Sequence, residues 1–290
     1  MNEATSRRHW RIDDPRSAHG YFLLRAGAYR WIGHVAPTTR DEPRHACNVI
    51  RPHHLLGSDG VLYEHADAIE VSATHRRRQE AKAFMALVRR DPLAVIHFPI
   101  APMRTWGHEF VCPPAFWARM AERAEDLAAG ERHMRALCAA TLRTELPDGA
   151  LVRDPACSTG DFVVAMAHAC PRLHFEGSDR AADMIRTART RHPDGPVTFS
   201  LADAALVPPA SCDALVLRFL NAEVVTRAQA DALFDRLVPS VRRGGLVVLF
   251  GHTPVLVDVH QGAARHGLRI QRSVAPTGTD GIVPYYVLRA

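Results

Sequence analysis

From residue 150 onward, short β-rich apolar runs alternate with stretches whose apolar residues recur at helical spacing. The runs fall at 150–153, 173–176, 197–201, 214–218, 246–250, 268–273 and 283–288. Helical patterns occupy 161–169, 181–191, 227–241 and 255–266. Arg242-Arg243-Gly244-Gly245 reads as the end of the third helix, with cations in its last turn and glycines after it. Apolar runs separated by helices are what a parallel sheet covered on both faces produces. The last two runs lie in "LRIQRSVAP" and "GIVPYYVLRA", joined by a loop with no helical stretch, so they should pair antiparallel. The expected class is α/β: a seven-stranded, mostly parallel sheet with an antiparallel last strand.

Before residue 149 the pattern is less regular. A strand-like piece at 60–64 follows the turn Ser58-Asp59-Gly60. Helices are predicted at 74–90, ended by Asp91-Pro92, and at 114–129 and 131–144. These helices have apolar faces and no separate core. Residues 1–148 therefore read as a mainly helical N-terminal cap, packed on residues 149–290 and contributing to substrate binding and to a possible homodimer contact.

The chemistry concentrates in "LVRDPACSTGDFVVAMAHA", residues 151–169. A strand ends in an acid, small residues follow, and a helix begins. Small residues let a backbone approach a ligand, and the first N–H groups of a helix serve polar or anionic groups. In "LHFEGSDRAADMI", Asp179 ends the next strand, 19 positions after Gly160, where an acid reads ribose hydroxyls in dinucleotide-type units. In "VTFSLADAALVPP", Asp203 follows the third strand; "CDALVLRFLN" and "RRGGLVVLF" complete the series. The succession resembles the class I S-adenosyl-L-methionine (SAM)-dependent methyltransferases over about residues 150–290. Their first loop reads acid-x-Gly-Cys-Gly-Thr-Gly. Here it reads Asp154-Pro155-Ala156-Cys157-Ser158-Thr159-Gly160, with Ala156 and Ser158 in place of two glycines.

That resemblance implies a Rossmann-like fold with SAM as cofactor, and it assigns roles residue by residue. Asp154 should orient the loop and meet the amino acid portion of the cofactor, lined by Ala156, Cys157, Ser158, Gly160 and Phe162. Asp179 should take the ribose hydroxyls, with Arg180 and Met184 near the adenine, and Asp203 the adenine amino group, with Ala204 adjacent. Arg218 and Phe219 should border the methyl-donor site. Methyl transfer is an in-line displacement, so the protein mainly aligns the reactants and excludes water.

The acceptor must be held by the cap and by loops at the strand C-termini. In "PMRTWGHEF" the cap offers Met103, Arg104 and Trp106 for binding and His108 and Glu109 for acid–base work. The sheet offers Asn221 and Glu223 as catalytic candidates, with His252 and Tyr285 as substrate contacts. A shorter likeness, carried by "PYYVLR" and the capped design, is to bacterial methionine S-methyltransferases that form sulfonium metabolites. It implies a thioether acceptor, which has no proton to lose. O- or N-methylation of a natural-product intermediate and a non-catalytic methyltransferase-like scaffold are the alternatives.

"DPAC" also resembles the opening loop of DNA adenine methyltransferases, but these need Pro-Pro and an aromatic after the fourth strand to hold a flipped base. Here that position reads "RFLNAEVV". The acceptor is therefore expected to be a small molecule and not nucleic acid. The net charge of +5 does not reverse this, because the excess is scattered arginine. The run Arg76-Arg77-Arg78 reads as a solvated helix face. None of the six cysteines forms a CxxC pair, so they read as free thiols with no metal site expected. With no signal-like h-region and no apolar run near the ~20 residues of a membrane span, a cytoplasmic protein without a membrane partner is expected.

Overall fold

A computed structural model of the chain describes residues 6–13, 20–35, 48–65, 68–99, 111–125 and 132–290. The C-terminal part matches the periodicity closely. Its strands are β7 (Leu151–Asp154), β8 (His174–Asp179), β9 (Val197–Leu201), β10 (Cys212–Leu217), β11 (Val241–Leu249), β12 (Arg269–Pro276) and β13 (Ile282–Arg289). They form one sheet in the order β12-β13-β11-β10-β7-β8-β9. The strands β7 to β11 pair parallel, and β13 runs antiparallel to both β11 and β12.

Both faces of this sheet are covered, which is why its central strands β10, β11 and β13 carry apolar residues on both sides. Leu215, Leu217, Val247, Leu249, Tyr286 and Leu288 point to one core. The alternating residues Ala214, Val216, Leu246, Val248, Tyr285 and Val287 point to the other.

The N-terminal half corrects the expectation of a mainly helical cap. Strands β1 (Arg7–Ile12), β2 (Tyr21–Ala26), β3 (Tyr29–His34), β4 (Leu55–Glu64), β5 (Ile69–Thr74) and β6 (Val95–His97) make a second sheet, in the order β1-β5-β4-β3-β2-β6. All its pairs are antiparallel. One face is lined by Phe22, Leu24, Trp31 and Ile96 and shares a core with the C-terminal sheet. Helix α1 (Arg78–Val88) closes that core, with Phe84 stacked on Trp31 at 5.1 Å. The hairpins β2–β3 and β4–β5 are local, but β1–β5, β2–β6 and β3–β4, which join them into one sheet, pair residues far apart in the chain. Such pairing is invisible in a local window.

Several boundaries shift for physical reasons. Helix α1 starts at Arg78 because Thr74 is paired with Arg7 and Ser58 in the sheet, and the Glu80 carboxylate accepts from Arg77 N–H at 2.9 Å. The two following helices are α2 (Pro114–Glu122) and α3 (Arg132–Glu145); the latter packs under the C-terminal sheet through Met134, Cys138 and Leu142. Helices α4 (Asp161–Ala169) and α5 (Ala182–Arg191) fall where expected. Helix α6 (Arg227–Leu237) stops before Pro239, which has no N–H to continue it. Arg242-Arg243-Gly244-Gly245 is therefore not a helix end. It is an irregular start to β11, with Gly244 at φ 81° and Arg242 paired with Asp213 at 2.8 Å. Helix α7 (Val259–Arg265) starts four residues later than expected: Val255 bridges Asn221 instead, and Asp258 caps the helix by accepting from Gln261 N–H at 3.0 Å. Among the described residues, no helix is long and apolar enough to cross a membrane.

Candidate active site

The parallel strands β7, β8 and β9 end side by side, and each end carries an acid. Asp154 is the last residue of β7, Asp179 the last of β8, and Asp203 lies two residues beyond β9. Register makes this unavoidable: Asp154 pairs with Gly177, and Asp179 with Leu201.

Asp154 is 1% exposed. One carboxylate oxygen accepts from Ala156 N–H at 3.2 Å, and the other from Arg218 Nε at 3.0 Å. Arg218 Nη2 lies 3.0 Å from the same oxygen, so the pair is buried and bidentate on the arginine side. The Arg218 guanidinium also sits 4.3 Å above the Phe162 ring. Phe162 contacts Phe250 at 5.6 Å, and Phe250 stacks on Tyr285 at 5.4 Å. An acid from the first strand and a cation from the fourth thus lock together over an aromatic floor.

The loop after Asp154 is tied to the next strand. Cys157 N–H donates to Ser178 O at 2.8 Å, and Ser158 N–H donates to the Asp179 carboxylate at 3.0 Å. Ser158 adopts φ 55°, the left-handed region that a glycine would take without strain, so the Ser-for-Gly replacement keeps the loop's shape. Its Oγ reaches Met184 Sδ at 3.4 Å, and Met184 is buried under the loop. Gly160 starts α4 at φ 80°. Burial pushes the Cys157 thiol up, so it stays protonated and acts as packing.

Asp179 is half-buried, and its second oxygen accepts from Ala181 N–H at 2.9 Å. Desolvation raises its pKa, opposed by those two backbone donors and by Arg180 and Arg218. Each oxygen keeps a further lone pair, so the carboxylate suits a ligand diol. Arg180 is exposed beside it. Asp203 caps the turn Ala204–Leu206 by accepting from Ala205 N–H at 2.8 Å, and Ala204 is buried behind it.

Beyond β10, Phe219 packs partly buried on the core shared by the two halves. Asn221 is 4% exposed; its Nδ2 donates to Thr253 Oγ1 at 2.6 Å, and that hydroxyl donates to Ala222 O at 2.6 Å. Asn221 Oδ1 is buried with no hydrogen-bond partner among the described residues, an arrangement that costs free energy unless a ligand supplies a donor. Glu223 sits at φ 72°, held there because its carbonyl accepts from Cys112 N–H at 2.8 Å. Such a conformation costs about 1–3 kcal/mol in a non-glycine residue and concentrates at functional sites. His252 is exposed on the neighbouring loop, where its carbonyl accepts from Asn48 N–H.

Tyr285 is a correction. It is fully buried in the core that also holds Phe162 and Phe250 and donates to Thr141 Oγ1 at 3.1 Å, so it is a core residue and not a substrate contact. The alternation along β13 decides this: the inward position next to Tyr286 falls under Phe250. Met103, Arg104, Trp106, His108 and Glu109 lie outside the described residues. The sequence does not by itself pair Asp154 with Arg218, and for Phe250 and Thr253 its signals are an aromatic and a hydroxyl just after β11.

Asp179→Ala should weaken SAM binding by about 1–3 kcal/mol, the range for leaving buried hydroxyls unpaired. Calorimetric titration measures it, and unchanged affinity would remove Asp179 from the cofactor site.

A model of a methyltransferase domain matches residues 152–245. Isonocardicin synthase of Nocardia uniformis subsp. tsuyamanensis is 33% identical over 291 aligned residues, covering 92% of this chain and 90% of that protein. Trans-aconitate 2-methyltransferase of Afipia carboxidovorans is 34% identical over 99 residues, 34% of this chain and 37% of that protein. A solved SAM-dependent methyltransferase of Leishmania major is 15% identical with a TM-score of 0.47, over 60% of this chain and 80% of that one. With a whole-length relative at this identity and the domain match falling on the strands that carry Asp154, Asp179 and Arg218, the chain belongs to the class I SAM-dependent methyltransferase family.

Proposed function

We propose that this enzyme transfers a methyl group from SAM to a small-molecule acceptor held above the ends of β10 and β11. The observation that carries this is the set of three acids on adjacent strand ends, in a chain aligned over nine-tenths of a relative whose name states that it makes isonocardicin. Asp179 holds the ribose hydroxyls, with Arg180 and Met184 on the adenine side and Asp203 and Ala204 closing it. The Asp154–Arg218 pair faces the amino acid portion, and Ala156, Cys157, Ser158, Gly160 and Phe162 shape the cradle. SAM supplies a methyl carbon made electrophilic by its sulfonium.

Glu223 and Asn221 act on the acceptor. The strained backbone at Glu223 fixes its carboxylate to receive the proton of an acceptor hydroxyl or amine. Asn221 Oδ1 accepts a hydrogen bond from the acceptor, with the Thr253 hydroxyl fixing the amide's orientation. The same carboxylate would also steady a sulfonium, so thioethers, methionine among them, belong in the assay.

Mass spectrometry of reactions with SAM and a panel of phenols, amines, carboxylates, thioethers and DNA tests the reading. One small molecule is expected to gain a methyl group, with S-adenosylhomocysteine as the nucleoside product. Methylthioadenosine as that product would mean attack at a different sulfonium carbon and would overturn methyl transfer; label in DNA would overturn the small-molecule acceptor. Glu223→Ala should lower turnover by about 10²-fold or more while leaving SAM affinity nearly unchanged. Equal losses in both would take Glu223 out of the acceptor site.

A further inference from the structure

A cavity of about 530 Å³ lies between the N-terminal sheet and the segment that follows β11. That volume is within the roughly 300–1,000 Å³ of small-molecule sites. Its walls are mixed: Ile32, Val61, Ile96, Phe98 and Val257 give apolar patches. Its polar groups are Arg30, His97, Arg227, Asp258 and His260. The His97 and His260 rings are 4.7 Å apart, one from each half of the chain. His260 Nε2 is buried without a hydrogen-bond partner among the described residues. Arg227 Nη1 donates to Leu256 O at 3.0 Å, which fixes its guanidinium at the wall. Asp258 is committed to capping α7.

Two arginines and two imidazoles against one engaged carboxylate make the cavity a site for an anion on an apolar body. Its wall residue Val255 is bridged to Asn221, so the cavity adjoins the loop that carries Asn221 and Glu223. We propose that this cavity binds the carboxylate-bearing, apolar part of the methyl acceptor, with His97, His260, Arg227 and Arg30 around the carboxylate. In calling that ligand the acceptor, the assignment rests on the methyltransferase reading above. The binding site itself does not.

The charges facing the two rings set the pH dependence. Burial lowers the pKa of both imidazoles; Asp258 opposes this, Arg25 adds to it, and His97 further lowers His260. Burial pushes the Tyr286 phenol up, so it does not titrate near neutrality. A bound carboxylate favours the protonated rings. Binding therefore takes up protons and tightens as pH falls through and below the ordinary imidazole range.

Calorimetry on the full chain with phenylacetate, 3-phenylpropanoate and 4-phenylbutanoate, each beside its neutral amide, tests the site. At least one acid is expected to bind roughly tenfold or more tightly than its amide, since the charged form makes the stronger hydrogen bonds. Arg30→Gln and His260→Gln are each expected to erase most of that difference, with thermal melts confirming that both variants fold. No acid binding, acid and amide binding alike, or variants that keep the full difference would overturn the site. SAM titrated into the same samples separates the two readings. SAM binding without acid binding sinks the cavity alone, whereas absence of SAM binding sinks the cofactor reading. A neutral acceptor emerging from the mass-spectrometric panel would overturn the assignment of the cavity to the acceptor.

Discussion

Arg218→Ala is expected to cost about 3–5 kcal/mol of folding stability, the range for leaving one member of a buried ion pair without its partner. The side chains of Arg218 and Asp154 are 9% and 2% exposed, so water cannot take the place of the lost guanidinium. The substitution also removes the cation that sits on Phe162. Chemical denaturation reads the stability, and a loss below about 1 kcal/mol would show that the pair is solvated in solution. A double variant separates folding from binding. Replacing a buried pair by apolar residues of similar volume is often neutral. Asp154→Leu with Arg218→Met should therefore regain much of the stability while SAM binding stays lost. If the double variant binds SAM as the native chain does, the pair is structural only.

Gly160→Ala should destabilise the chain by about 2–5 kcal/mol and abolish measurable SAM binding. Two costs combine. An L-residue at φ 80° costs roughly 1–2 kcal/mol relative to glycine. The added Cβ would also lie 2.7 Å from Phe199 Cζ and 3.2 Å from Ala188 Cβ. Overpacking of this kind costs roughly 1–3 kcal/mol, because the start of α4 or the Phe199 ring must move. Gly149→Ala is the control: its φ is 77°, but nothing lies within 4 Å of the added atom, so only the backbone cost of roughly 1–2 kcal/mol applies. Equal denaturation midpoints for the two variants would mean that the Phe199 contact is soft.

The C-terminal half was legible in the sequence because its physics is local. Strands buried on both faces must be apolar throughout, and the helices between them must carry one apolar face, so the alternation survives in any short window. The acids at the strand ends follow from the same periodicity, since Asp154 and Asp179 come where apolar runs stop. The N-terminal sheet was not legible. Its two hairpins, β2–β3 and β4–β5, are local, but the pairings that assemble them join residues far apart in the chain, such as Arg7 with Thr74 and Leu24 with Ile96, and no local pattern encodes those. The loop spanning 103–109, chosen for its polarity beside proline and tryptophan, lies outside the described residues.

The sequence by itself determined the order of strands and helices after residue 150, the cofactor loop with its small residues, and the acids that accompany it, because backbone periodicity and steric size are properties of neighbouring residues. Only the tertiary structure decided which charges meet. It joined Asp154 to Arg218 across 64 positions, buried Tyr285 against Phe250 in the core, and brought His97 beside His260 at the junction of the two halves. Those outcomes depend on strand order and on which face each side chain occupies, and both are set by packing between distant segments.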